Sequence, residues 1–237
     1  MNKRIVIKVG SYVLTEKEEI AKERLLELVK LIVDLKRTGY EVILVSSGAI
    51  SAGFTKLNLD KDDTINRQVL ASIGQPYLLK IYQDLFDNFG VLCSQILLPS
   101  DIFQSKKHTE HAKNAINRLI ENDVIPIINE NDTVSIEELI SGDNDMLSAH
   151  VTHHFDASML VILSNIDNYS KKELGHISNK ELEEAKKLDN GLDTKLLSAK
   201  YMMEQDNQMF MASGFDLCDA RNFLLHNEHQ GGTLFKA

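Results

Sequence analysis

Strand-like apolar segments alternate with amphipathic segments of helical length along nearly the whole chain. The candidate strands are short and apolar, and they lie at 4–9, 41–45, 91–98, 124–128, 159–163 and 209–212. Continuous apolar strands separated by helices are typical of parallel sheets that are buried on both faces. The pattern therefore predicts an α/β fold, in which a mostly parallel sheet lies between two layers of helices.

The segments between the strands show helical periodicity and recognisable ends. Gly39 follows the first periodic segment and indicates a helix end there. Gly74 and Pro76 predict a break inside the longest one. No repeat or linker interrupts the order, so the chain is interpreted as one domain with two lobes, at about 1–155 and 156–237. Helices are predicted at 25–35, 64–89, 111–121 and 194–204, and a final edge strand at 231–235.

The composition narrows the class of protein. The chain has 237 residues, a formal charge of −9 and 43% hydrophobic residues, which fits a globular protein with a sizeable core. The acidic balance argues against nucleic-acid partners, which usually require a basic surface. A membrane partner is not expected either, since no apolar run approaches the roughly 20 residues needed to cross a bilayer. Cys93 and Cys218 are too few for a disulfide framework, so a cytoplasmic location is expected.

Lys8 lies near the end of the first candidate strand and is followed closely by Gly10. A lysine flanked by apolar residues in a central strand is costly to desolvate unless an anion meets it. Gly10 would let the backbone approach a ligand, and the N–H groups after it could face phosphate oxygens. The alternative is an edge strand whose lysine extends to solvent. The segment alone favours neither interpretation.

Small residues follow the second candidate strand, in the order Ser46, Ser47, Gly48. Such residues at a helix N-terminus leave unpaired N–H groups that can bind a carboxylate or a phosphate. The alternative is a serine cap with tight helix packing. Neither a Walker-type phosphate loop nor a G-x-G-x-x-G fingerprint occurs, which disfavours the two commonest nucleotide-binding folds.

Two clusters of acids and amides form the densest polar region, NEND at 129–132 and GDND at 142–145. Such residues are common in turns for local hydrogen bonding, but two clusters beside a buried strand fit a polar substrate that carries an amine. Asp145 begins a predicted helix and could cap it or hold a catalytic lysine. Lys195 falls in the first turn of another helix, where a cation is unfavourable to the helix dipole. This position slightly favours a functional role for Lys195.

Three histidines, His150, His153 and His154, share one face of a predicted helix. Neither an HExxH pattern nor a cysteine partner accompanies them, and imidazoles on a helix face are usually surface groups. No dedicated metal site is therefore predicted.

Five segments occur in the order that is seen in the glutamate 5-kinases of the amino acid kinase family. They are KVGS at 8–11, SSGAISAG at 46–53, INEND at 128–132, GDNDMLSA at 142–149 and TKLLSAK at 194–200. GQP at 74–76 and GGTLF at 231–235 are similar too, so the resemblance runs from about residue 3 to residue 235. The INEND and GDND pair favours glutamate 5-kinases over the acetylglutamate, aspartate and uridylate kinases of the same family.

The resemblance implies the amino acid kinase fold, a three-layer αβα sandwich with an N-terminal substrate lobe and a C-terminal nucleotide lobe. It implies transfer of the ATP γ-phosphoryl group to the γ-carboxylate of L-glutamate, which forms γ-glutamyl phosphate for proline biosynthesis. Mg²⁺ would bridge the phosphates and keep much of its water shell. Proline is implied as a feedback inhibitor, and a homodimer or homotetramer as the assembly.

The resemblance also implies roles for individual residues. Lys8 and Lys195 would contact the phosphates and neutralise charge in the transition state, while Asp145 would orient both lysines. Phosphoryl transfer needs such positioning and charge neutralisation more than covalent help from the protein. Gly10 and Gly48 would supply backbone N–H groups near the transferring phosphoryl group. The implied glutamate-binding residues are Ser47, Gly48, Asp132, Asp143 and Asn144. The implied nucleotide-binding residues are Lys8, Gly10, Ser164, Asn165, Gly191 and Lys195.

Three features depart from the family pattern on the nucleotide side. Ser164 and Asn165 stand where Thr-Asp is usual, and 189–193 stands where a glycine-rich GTGGM-type loop is usual. The segment 168–188 is also shorter than the pattern. Either the nucleotide loop is trimmed in this protein, or it has residues that are absent from this sequence. The RNA-modification-type domain that many relatives append is not expected.

Two alternatives to a glutamate kinase stay open. One is a kinase of the same fold that acts on another carboxylate or on a phosphate acceptor. The other is a non-catalytic amino-acid or nucleotide sensor, which the altered 164–165 and 189–193 segments would allow. Lys8, Asp145 and Lys195 together favour catalysis, because a sensor needs no lysine at the transferring phosphoryl group.

Overall fold

The structure, a computed structural model, describes residues 3–135, 144–165, 173–188 and 191–237. Within these ranges strands and helices alternate as the sequence predicts. The strands are β1 Arg4–Val9, β2 Thr15–Glu16, β3 Glu19–Ile20, β4 Glu41–Ser46, β5 Cys93–Leu98, β6 Ile125–Glu130, β7 Met159–Ser164, β8 Glu173–Leu174, β9 Gln208–Ser213 and β10 Thr233–Phe235. The helices are α1 Ser11–Leu14, α2 Lys22–Arg37, α3 Ala49–Phe54, α4 Thr64–Asp87, α5 Lys106–Glu121, α6 Asp145–His154, α7 Asn179–Lys186, α8 Leu192–Glu204 and α9 Cys218–His226, with a 3₁₀ turn at Ser100–Gln104.

Eight strands form one sheet in the order β5-β6-β4-β1-β7-β9-β10-β8. All neighbours from β5 to β9 run parallel, whereas β10 is antiparallel to β9 and parallel to β8. The predicted mostly parallel sheet is therefore confirmed. β1 lies in its interior and pairs with β4 and β7. A separate β2–β3 hairpin was not predicted. The division of the chain into two lobes stays a prediction.

Alternate side chains of β1 enter two different cores. Ile5 and Ile7 pack with apolar residues of α2, α4 and α9 on one face, and Val6 packs with residues of α5, α6, α7 and α8 on the other. Burial on both faces explains why the strands are apolar throughout. The arrangement confirms helices on both faces of the sheet. Among the described residues, no helix is both long enough and apolar enough to cross a membrane.

The predicted break in α4 was wrong, because one helix runs from Thr64 to Asp87. Gly74 serves close packing instead: a Cβ built on it would lie 1.8 Å from the carbonyl oxygen of Ala49 in α3. Pro76 removes the helical hydrogen bond to the carbonyl of Ser72. Ser72 is exposed, so water can replace that bond. A proline that the helix tolerates and a glycine required for close packing therefore gave a false signal of a helix break.

Two strand predictions also require correction. β6 continues through Asn129 and Glu130, so the NEND cluster begins inside the strand and not after it. β10 is not an edge strand, because Glu173 and Leu174 of β8 pair outside it. The backbone N–H of Lys236 donates to the carbonyl of Leu174 at 3.1 Å and extends this pairing. Such pairing between segments far apart in sequence has no local signal.

Candidate active site

The polar residues singled out from the sequence lie at the carboxyl ends of β1, β4, β6 and β7. Because these strands run parallel, their carboxyl ends meet at one edge of the sheet. Ligands of open α/β sheets bind at this edge. The helices α3, α6 and α8 begin there, and they carry the remaining residues of the candidate site.

Asp145 lies between two lysines that come from distant parts of the chain. Its Oδ1 is 2.5 Å from Lys8 Nζ, and its Oδ2 is 3.1 Å from Lys195 Nζ. The exposed fractions are 0% for Asp145, 2% for Lys8 and 5% for Lys195. Lys8 is therefore a buried lysine that meets an anion, and the alternative of a solvent-facing edge strand is wrong. We call these three residues the Asp145 clamp.

Three further contacts hold the first turn of α8 at the clamp. Lys195 Nζ donates a hydrogen bond to the carbonyl oxygen of Gly191 at 3.1 Å. The hydroxyl of Thr194 lies 3.1 Å from Asp145 Oδ2 and 2.9 Å from the same carbonyl. The anionic Asp145 compensates for the unfavourable position of Lys195 in the first helical turn. Thr194 was not selected from the sequence, although it begins the TKLLSAK segment.

A chain of amide hydrogen bonds runs along the same edge. Asn144 Nδ2 donates to Ser47 Oγ at 3.2 Å and to Asn129 Oδ1 at 2.6 Å. Asn129 Nδ2 in turn donates to Gln75 Oε1 of α4 at 2.8 Å, and it lies 3.5 Å from Asp132 Oδ2. We call Ser47, Asn144, Asn129 and Gln75 the amide chain. Asn129 and Gln75 were missed, although they belong to the quoted INEND and GQP segments.

Two carboxylates lie at the far end of the amide chain. Burial and the nearby charge of Glu130 raise the pKa of Asp132 to about 6, although the positive charge of Arg67 acts in the opposite direction. Glu130 is only 2% exposed, and neither of its carboxylate oxygens has a hydrogen-bond partner in the described part of the chain. A buried, uncompensated acid is costly. This end of the site is therefore suited to a cationic group of a ligand.

The turn after β4 is held without a serine cap. Gly48 occupies the position before α3 with φ of +100°, which favours glycine, and no side chain caps the helix. Ser46 Oγ instead contacts Tyr82 OH at 2.9 Å and donates to the carbonyl of Ser47 at 3.0 Å. The backbone N–H of Ser47 donates to the carbonyl of Val9. These contacts tie the ends of β4 and β1 together, and the alternative of a serine cap is wrong.

The predicted nucleotide residues lie at the ends of β1 and β7 and at the start of α8. The N–H of Gly10 donates to the carbonyl of Leu163 at 3.1 Å within the sheet, whereas the resemblance implies that it lies near the transferring phosphoryl group. Gly10 provides room instead, since a Cβ built on it would lie 3.9 Å from Lys8 Nζ. Ser164 is buried and Asn165 is exposed. Asp143 and the segment 189–190 lie outside the described residues.

Comparisons with known proteins identify the family of the chain. Residues 3–213 match the amino acid kinase family. The chain is 45% identical to the glutamate 5-kinase of Wolinella succinogenes, with 98% of this chain and 97% of that protein covered. It is also 45% identical to the glutamate 5-kinase of Leishmania donovani, with 98% and 95% covered. The chain belongs to the amino acid kinase family.

Solved structures agree with the fold. A carbamate kinase from Giardia lamblia bound to AMP-PNP superposes with a TM-score of 0.66 at 14% identity, covering 99% of this chain and 98% of that one. A second structure of the Giardia carbamate kinase gives a TM-score of 0.68 at 15% identity, covering 100% and 99%. At this level of identity, the likeness shows the amino acid kinase fold alone.

The relatives also bear on the length of this sequence. The alignment with the Wolinella succinogenes protein spans 254 positions, more than the 237 residues of this chain. That relative therefore carries residues that have no counterpart here. This agrees with a sequence that is short relative to the family pattern.

Asp145→Asn should destabilise the protein strongly, because it removes the carboxylate that two buried ammonium groups share. Breaking a buried ion pair typically costs about 3–5 kcal/mol in the free energy of unfolding, measured by urea denaturation at neutral pH. Asp84→Asn is the matched control, since its pair with Lys80 is exposed. The control should lose less than about 1 kcal/mol. Equal losses in the two variants would contradict the clamp.

Proposed function

We propose that this chain is an ATP-dependent glutamate 5-kinase, which phosphorylates the γ-carboxylate of L-glutamate in the first step of proline biosynthesis. The observation that carries the proposal is the buried Asp145 clamp, placed at the edge of the sheet beside the amide chain. The two glutamate 5-kinases named above align over nearly their whole length, and they support glutamate as the acceptor.

The clamp suits the electrostatic demands of phosphoryl transfer. Two ammonium groups and one carboxylate leave a net positive charge at a buried position, which favours an anionic phosphoryl group. Lys8, from β1, and Lys195, from α8, are held by the same carboxylate, so their separation is fixed before the substrates bind. Preorganised charges of this kind stabilise a transition state without reorganisation during the reaction.

The amide chain would fix the orientation of the bound acceptor. Ser47, beside Gly48, would lie near the γ-carboxylate, and Asn144 would hydrogen-bond to the substrate. Asp132, at the other end, would bind the α-ammonium group. Its buried position strengthens a charge-assisted hydrogen bond to an amine. Asp143 remains a predicted glutamate contact on the strength of the resemblance.

Mg²⁺ enters the proposal as an ion that is carried by ATP. The described residues include no group of three histidine, cysteine or acidic side chains that could hold a metal. Asp145 is engaged by two lysines, so it does not fit as a direct metal ligand. When bound to the phosphates, the ion would neutralise part of their charge. A cytoplasmic location, a homodimeric or homotetrameric assembly and inhibition by proline accompany the proposal as family expectations.

Acceptor specificity tests the proposal. ADP release is measured with L-glutamate, N-acetylglutamate, L-aspartate and uridylate, with hydroxylamine present to trap acyl phosphates. The expected result is ADP and hydroxamate with glutamate, and rates lower by at least about a hundredfold with the others, as for a site with buried polar groups matched to one ligand. Reactions without acceptor provide the background.

Two results of that assay would contradict the proposal. A faster reaction with another acceptor would favour a different kinase of the same fold. No ADP release with any acceptor, combined with calorimetric binding of glutamate, would favour a sensor.

The pH dependence of glutamate use tests the role of Asp132. Because its pKa is raised to about 6, the carboxyl is protonated below that pH and cannot pair with an ammonium group. For glutamate, kcat/KM should therefore fall about tenfold per pH unit below pH 6. In Asp132→Asn this slope should vanish, and the glutamate KM at pH 7.5 should rise roughly 10- to 150-fold. The KM for ATP is the control and should change little.

The same decline below pH 6 in Asp132→Asn would remove Asp132 from substrate recognition. So would equal increases in the KM values for glutamate and for ATP.

A further inference from the structure

Arg67 differs from every other arginine of the chain. It lies in the first two turns of α4 and is half-buried. In the part of the chain that the structure describes, its guanidinium makes neither an ion pair nor a side-chain hydrogen bond. The other arginines each have a carboxylate oxygen within 4.0 Å, and they are Arg4, Arg24, Arg37, Arg118 and Arg221.

The position of α4 places Arg67 beside the acidic end of the amide chain. Gln68, the next residue, donates from Nε2 to the carbonyl of Thr133 at 3.1 Å, so this turn is docked next to Asp132. Gln75, two helical turns later, accepts the hydrogen bond from Asn129. The positive charge of Arg67 also favours the ionised form of Asp132. The first turns of α4, the amide chain and the carboxylate of Asp132 therefore lie next to one another.

The charges at this place leave one group of an amino-acid substrate without a partner. Glutamate carries two carboxylates and one ammonium group. Its γ-carboxylate would lie towards the Asp145 clamp, and its ammonium group would pair with Asp132. The α-carboxylate would then lie near Asp132 and the buried Glu130, and both acids would repel it. A nearby cation is needed to offset this repulsion.

We propose that Arg67 binds the α-carboxylate of the amino-acid substrate and so selects α-amino acids as acceptors. The inference rests on the proposed function, because it takes the γ-carboxylate as the reacting group. A guanidinium presents two parallel N–H donors that match a carboxylate, and a lysine does not. Arg67 is half-buried and unpaired among the residues that the structure describes, so its guanidinium can use that geometry when the substrate binds.

A pair of acceptors isolates this contact. The compound 4-aminobutyrate has the same carboxylate and amine as glutamate but lacks the α-carboxylate. Wild type should prefer glutamate. Arg67→Gln should lower kcat/KM for glutamate roughly 10- to 150-fold, mainly through KM, and should leave the value for 4-aminobutyrate within about twofold. Arg67→Lys should be intermediate. Lys80→Gln removes an exposed cation from the same helix and should behave as wild type.

Three outcomes would overturn the inference: equal losses for both acceptors, unchanged glutamate kinetics in Arg67→Gln, or no preference for glutamate in wild type. Calorimetric titration with the same two compounds measures the preference without turnover. If wild type releases no ADP with glutamate, the proposed function fails. The titration still tests Arg67 in that case. Loss of the calorimetric preference for glutamate in Arg67→Gln would confirm the role of Arg67, and retention of the preference would overturn it.

Discussion

The rest of the site depends on one buried carboxylate, that of Asp145. Two lysines in the interior of a protein would repel each other and would be costly to desolvate without it. By pairing with both, Asp145 joins a central strand to the first turns of two helices, α6 and α8. One acid cannot neutralise two bases, so the clamp keeps a net positive charge. In the proposed function, that charge favours binding of an anionic phosphoryl group.

The second constraint is the placement of α4 against the sheet. Gly74 lets α3 approach α4 closely, and the helix continues past Pro76 without a break. Its length allows one rigid element to contact the amide chain through Gln75 and the turn after β6 through Gln68. The same helix carries Arg67. The amide chain is therefore anchored to a continuous helix at Gln75.

The sequence was informative wherever the signal was local. Continuous apolar strands, helical patterns and the rule that ligands bind beyond strand ends singled out the segments that contain Lys8, Ser47, Asn144 and Asp145, and the resemblance to the family supplied the roles of these residues. Partners across the fold were not predictable in this way. Asn129 meets Gln75 only because α4 packs beside β6, and β8 pairs outside β10 without any local pattern. Arg67 was missed for the same reason, since its isolation is a property of the folded chain.

The central claim is that the buried lysines act on the transferring phosphoryl group. The most direct test is kcat of Lys8→Met, which keeps much of the side-chain volume, at saturating ATP and glutamate with folding verified by circular dichroism. The account predicts a kcat at least about a hundredfold below wild type, the scale of losing one electrostatic stabiliser, with a glutamate KM within a few-fold. A folded Lys8→Met variant with nearly normal kcat would contradict the account.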